Sequence, residues 1–215
     1  MATVVESKTP VGEERLLLTG ISWDFYMRFC DELVGRPSVR LTYSEGMLEI
    51  MVIKRPHEFY KKMLAKLVEQ IIFIFNMPVA SGGSMTFQRE DLEKGFEHDE
   101  CWWIEHEADV RGRGELDFRH DPPPDLAIEV EISSSLLDKV SIFAAIGVPE
   151  IWRFDGENLR FLTLQDNGEY QETENSRAFS FLNPQHLLPY LKMDNQVDET
   201  TRMRQFADWL GMQER

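Results

Sequence analysis

The sequence predicts an α/β fold, a mixed central sheet flanked by helices, with core elements in the order helix, three strands, helix, strand. Three observations carry that prediction. One long amphipathic pattern lies between His57 and Phe75, short strand-like segments follow it, and a strand, helix, strand run then spans Leu126 to Phe154. The crossover in that last run is short, so its two strands should lie parallel in one sheet.

Composition agrees with a packed unit. At 215 residues, 42% hydrophobic and 28% charged, the chain can bury a sizeable core as one domain over 1–215, and it falls outside the disordered class. No apolar run approaches the ~20 residues that span a bilayer. The opening MATVVESKTPVGEER has charges where a signal peptide has its apolar segment, so the expectation is a cytoplasmic protein with no membrane association. Cys30 and Cys101 are too few and too far apart to suggest a disulfide framework or a zinc site and are read as packing residues.

In chain order, residues 1–14 show no periodicity and are expected to lie loose. Ser22 caps a short helix through Trp23, Tyr26, Met27 and Cys30. Val39 to Tyr43 and Met47 to Ile53 flank the turn Ser44-Glu45-Gly46 as a hairpin. Pro56 suits the first turn of the long helix, whose apolar stripe is Tyr60, Met63, Leu64, Leu67, Ile71 and Phe75 and whose polar face is Glu58, Lys61, Lys62 and Lys66. Short strands are expected at Met77 to Ala80, Ser84 to Arg89 and Asp99 to Glu105, then a long loop from Glu107 to Pro124. Ser135 to Asp138 has capping-box spacing and starts a helix ending at Gly147, before the strand Glu150 to Phe154. Leu159 to Leu164 adds an antiparallel strand, and residues 165–215 form a C-terminal extension with two helical segments.

The chemistry is suggested by the strand P-P-D-L-A-I-E-V-E-I-S, in which Glu129 and Glu131 share one face, with Asp125 on the same parity. On a solvated edge such a pair is unremarkable; on a covered strand it needs a cation, a donor or a proton. A divalent metal satisfies two carboxylates at once, and oxygen-only ligands point to Mg2+ or Mn2+ rather than zinc. The net charge of −15 opposes nucleic-acid binding, although Lys54, Arg55, Lys61, Lys62 and Lys66 form a local basic cluster. A glycosidase-type acid and base pair at Glu129 and Glu131 is an alternative for this strand alone.

The stretches F-Q-R-E-D-L-E-K-G-F-E-H-D-E-C-W-W-I, D-P-P-P-D-L-A-I-E-V-E-I-S-S-S-L-L-D-K and G-V-P-E-I-W-R-F-D resemble the Uma-type family of restriction endonucleases, common in cyanobacteria. That family resembles the PD-(D/E)-x-K nuclease superfamily. The resemblance implies a restriction-endonuclease-like core, a Mg2+ (or Mn2+) ion and hydrolysis of DNA phosphodiester bonds. It carries the first acid onto Asp99, with His98 where proline is usual, the second onto Glu129, and a metal-binding carbonyl onto Val130. The usual lysine position holds Glu131, and the resemblance moves the lysine to Lys139 on the next helix. That helix's apolar arc, Leu136, Leu137, Val140, Phe143 and Ala144, leaves Lys139 at its border, able to lean toward the sheet. Glu131 is then a second-metal ligand or proton acceptor, and Glu58 one more acid near the start of the long helix. His57, Lys61 and Lys62 are the candidates for DNA-backbone contact, and a homodimer would suit cutting of both strands. A catalytically degenerate binding or scaffold protein with the same fold is the competing expectation, favoured by the acidic charge and by Glu131.

Overall fold

The computed structural model describes residues 3–8, 13–36, 38–194 and 196–213. β1 (Thr3–Lys8) and β2 (Glu13–Thr19) lead into α1 (Trp23–Glu32), then β3 (Val39–Ser44), β4 (Met47–Ile53) and the long α2 (Arg55–Ile74). β5 (Ala80–Ser81), β6 (Thr86–Arg89), β7 (Lys94–Glu97) and β8 (Glu100–Trp103) follow, then the short α3 (Glu107–Val110) and β9 (Leu126–Val130). α4 (Lys139–Ile146) joins β9 to β10 (Glu150–Phe154), and β11 (Leu159–Leu164), β12 (Tyr170–Thr173), α5 (Pro184–Leu187) and α6 (Glu199–Leu210) come last.

These strands make two sheets rather than one. The first, ordered β1-β2-β4-β3-β7-β6, is antiparallel throughout. The second, ordered β12-β11-β10-β9-β8-β5, is mixed: β9 and β10 are parallel, as the short crossover requires, and the other pairs are antiparallel. The expected core order is realised by α2, β5, β8, β9, α4 and β10, with β6 and β7 an excursion into the first sheet.

Both faces of the mixed sheet are covered. Met63, Leu64, Leu67, Val68 and Ile71 of α2 pack with Leu126, Ile128 and Val130 of β9. Ile142, Phe143 and Ile146 of α4 pack with Ala127 and Ile151 on the opposite face. Every residue of β9 is therefore buried, and its alternation sends Glu129 to the α4 side, away from α2. Ile128 is fully buried, and truncating such a residue to alanine costs about 2–5 kcal/mol.

Several expectations are corrected. Thr3–Lys8 is not loose: it pairs antiparallel with β2, and Glu13 and Arg15 are buried; residues 9–12 lie outside the described ones. α4 begins at Lys139 with Asp138 as its cap, accepting from Ser141 N at 3.2 Å, because Ser135 and Leu136 are already engaged by Glu49. β7 was not anticipated; it follows a single 3-10 turn closed by Glu93 in the left-handed region, φ 49°. The loop before Pro124 contains α3. The segment near Met77 contributes only Ala80–Ser81 as strand, and the strand expected from Asp99 to Glu105 is confined to Glu100–Trp103.

Candidate active site at the crossing between sheets

The chain leaves the first sheet at Glu97 and enters the second at Glu100, so His98 and Asp99 occupy the crossing. In the second sheet Glu100 stands opposite Ile128, Cys101 opposite Ala127 and Trp102 opposite Leu126. One further step of that register sets Asp99 opposite Glu129, where Cβ atoms of facing residues stand about 4.5–5.5 Å apart. The Val130 amide donates to Asp99 Oδ2 at 2.8 Å, which ties the end of β9 to the crossing. Lys139, the first residue of α4, donates its ammonium to Glu129 Oε1. Glu129 Oε2 is buried and makes no hydrogen bond among the described residues.

These three groups are closed off from water: Asp99 is 2% exposed, Glu129 3% and Lys139 4%. Burial penalises the charged form and pushes Asp99 up to about 6, against the Val130 amide and the Lys139 charge. Glu129 is pushed up to about 7 by the same burial, opposed by Lys139 and reinforced by repulsion from Asp99 and Glu131. Burial also opposes the Lys139 charge, but Glu129 and Glu131 more than restore it, and its affinity for the proton is raised. Two carboxyls close to neutrality in their titration therefore face one ammonium that stays charged.

Glu131 is held elsewhere. Arg153 Nε donates to its Oε2 at 2.9 Å, a second guanidinium nitrogen reaches the same oxygen, and Ser135 N donates to Oε1 at 3.2 Å. A cavity of about 310 Å³ lies over this side of the sheet, lined by Glu129, Glu131, Lys139, Phe143 and Arg153 among others.

His57 and Lys61, at and near the start of α2, are buried rather than on the surface as expected, whereas Lys62 and Glu58 are not. His57 is fully buried, with Nε2 3.4 Å from Asp99 Oδ2 and 3.8 Å from Glu13 Oε1, so it cannot reach an incoming phosphate. Burial lowers its pKa to about 4, against the pull of Glu13 and Glu129, and the ring is neutral. Lys61 is 5% exposed rather than displayed on an open helix face. Lys62 is exposed and stands 3.5 Å from Glu100. Half-exposed Glu58 has Lys61, not Lys62, as its cationic neighbour, at 4.0 Å.

A second cluster escaped the sequence reading. Arg15 donates to Glu13 Oε2 at 2.7 Å, to Glu49 Oε1 at 2.7 Å and to Ser133 Oγ at 2.9 Å. Glu13 accepts the amides of Ile132 and Ser133, each at 3.1 Å, and Glu49 accepts Ser135 Oγ at 3.0 Å and Leu136 N at 2.5 Å. The first sheet thus grips the segment between Glu131 and Lys139. The alternation of Glu13, Arg15 and Leu17 within E-E-R-L-L-L-T was the available signal.

A two-sheet α/β architecture with two acids and a lysine buried together at the crossing is a restriction-endonuclease-like fold. The sequence profile of the Uma2 family, described as "Putative restriction endonuclease", matches residues 23–196, and the chain belongs to that family. No curated protein matches the chain. Among the described residues, no helix is long and apolar enough to cross a membrane.

The same residues bear on metal binding. Among the described residues no group of three or more His, Cys, Asp and Glu side chains is arranged to hold a metal ion. Magnesium does not require one: it keeps several waters and is commonly held by one or two carboxylates together with substrate phosphate oxygens. Glu129 Oε2, buried and without a donor among the described residues, is the oxygen that fits such a cation, with the Asp99 carboxylate beside it.

Proposed function

We propose that the protein is an endonuclease that hydrolyses DNA phosphodiester bonds with a divalent metal, Mg2+ or Mn2+, at Asp99 and Glu129. The observation that carries this reading is the unpaired Glu129 Oε2 beside Asp99, with Lys139 as a buried ammonium against the same carboxylate. Family membership supports the nuclease class, and restriction-endonuclease-like enzymes generally use divalent metals.

Asp99 and Glu129 would hold the cation, with the Val130 backbone at the same strand end. When bound, such an ion neutralises phosphate charge and lowers the pKa of a water molecule. Asp99 and Glu129 give up their protons on taking up a cation, so occupancy rises with pH through the range where both titrate. Lys139 places its ammonium where charge builds on the transferring phosphoryl group. Glu131, locked to Arg153, orients the strand end and Arg153 rather than accepting a proton, and His57 buttresses Asp99 from below. Two copies, one for each strand, would suit cleavage of a duplex.

The test is cleavage of supercoiled and linear DNA with Mg2+, Mn2+ or chelator. Wild-type protein should cut with metal and not with chelator, and Asp99→Asn and Glu129→Gln should each slow cutting by about 10²-fold or more while leaving the circular dichroism spectrum intact. Cleavage at the wild-type rate in either variant would remove that residue from the mechanism. The closed Lys139–Glu129 pair favours a second reading, a nuclease-fold binding protein without activity; it predicts no magnesium uptake in a calorimetric titration.

A further inference from the structure

Lys61 is a cation near the crossing whose ammonium is directly hydrogen-bonded to no acid among the described residues. Its side chain is 6% exposed, and its nearest acid, Glu58 Oε1, stands 4.0 Å away, beyond hydrogen-bond reach. No donor bond from its ammonium is formed among the described residues. An ammonium carries three donors, and a ligand entering from outside can supply their acceptors. Elsewhere the protein satisfies such groups, as with Arg15.

Lys61 of α2 lines a groove of about 790 Å³ walled by the end of α1 and the turn after it, β3 and the start of β6, with Arg36, Arg40, Ser84, Thr86 and Gln88. Asp31 and Glu97 also line it, and Glu97 Oε2 faces Arg40 Nη1 at 3.2 Å. Extending the register between β3 and β7, in which Thr42 opposes Phe96, places Arg40 opposite His98, next to Asp99. The volume exceeds what one phosphate needs and leaves room for the sugar and base attached to it. In a chain of net charge −15, this groove is where DNA would find positive charge beside the candidate catalytic acids.

We propose that this groove binds a phosphodiester of the DNA strand next to the scissile one, with the Lys61 ammonium as its anchor and Arg40 beside it. The assignment rests on the nuclease reading, and it places the DNA against the first sheet rather than along the exposed lysines of α2.

The experiment is fluorescence anisotropy of a labelled DNA duplex in chelator, so that no cleavage occurs and Asp99 and Glu129 are not needed as metal ligands. Lys61→Met should weaken binding about tenfold and reduce the slope of log affinity against log salt by about one. Lys66→Met, an exposed change on the same helix, should alter affinity less than about twofold. Lys61→Gln serves as the second variant if Lys61→Met does not fold. Equal losses in the Lys61 and Lys66 variants, or none in Lys61→Met, would overturn the groove. Saturable inorganic phosphate binding that needs Lys61, with unchanged DNA affinity in Lys61→Met, would make it a small-anion site and overturn the DNA assignment. The two readings fail separately: undiminished cleavage in Asp99→Asn removes the metal site and leaves the groove, whereas normal DNA binding by Lys61→Met removes only the groove.

Discussion

Two buried charge clusters meet on either side of the segment that joins β9 to α4, and they differ in how completely their polar atoms are satisfied. In the Arg15, Glu13 and Glu49 cluster the guanidinium reaches both carboxylates and Ser133, and the carboxylates accept the chain's own amides. In the Asp99, Glu129 and Lys139 cluster one carboxylate oxygen has no donor, and the His57 ring nitrogens make no hydrogen bond. A filled network fixes geometry, whereas a network with an open acceptor can take a ligand. The first cluster therefore reads as a clamp that holds the second in place.

That contrast can be broken from either side. The largest expected effect belongs to the clamp: Arg15→Ala leaves Glu13 and Glu49 buried without their cation and should lower unfolding free energy by about 3–5 kcal/mol in urea titration. A loss below about 1 kcal/mol would mean the clamp is not structural. Next come Asp99→Asn and Glu129→Gln, expected to reduce cleavage by about 10²–10³-fold or more, or roughly 3–4 kcal/mol of barrier, with the fold retained.

A smaller effect of opposite sign sharpens the comparison. Burial raises the folded pKa of Asp99 to about 6, so the native state holds that proton more tightly than the unfolded chain does. Its contribution to stability is fully present below about pH 4, the unfolded value, and is lost as pH rises through about 6. Asparagine does not titrate. In chelator, Asp99→Asn should therefore match wild type near pH 4 and exceed it by about 1–3 kcal/mol at pH 8. Thermal denaturation at the two pH values measures this, and a variant less stable than wild type at pH 8 would place Asp99 with the structural acids. The smallest effect is at the surface: Lys66→Ala removes an exposed ion pair with Glu199 and should shift stability by no more than about 0.5 kcal/mol.

What the sequence revealed divides along the same line. The acidic strand was legible because side-chain alternation is local: Glu129 had to share a face with Glu131, and a covered parallel strand forces a partner upon it. Lys139 was legible as a border residue of its helix, and the structure sets it against Glu129. The clamp was not, because Glu13 and Arg15 acquire meaning only when β2 pairs with β4 and brings Glu49 alongside. The burial of Lys61 and His57 was not legible for a related reason. A helical wheel separates an apolar from a polar face, but it cannot see that distant parts of the chain bring Glu13 and Asp99 against His57, or that Lys61 lies in a groove with Arg40. The excursion of β6 and β7 into that sheet, which creates the crossing at Asp99, depends on long-range pairing that no local period encodes.

Calorimetric titration of the purified protein with Mg2+ and Mn2+, repeated with Glu129→Gln, interrogates the open acceptor most directly. Saturable uptake by wild type near pH 8 that is absent from Glu129→Gln is the expected result. No uptake by wild type, or equal uptake by both proteins, would contradict a metal site at the crossing.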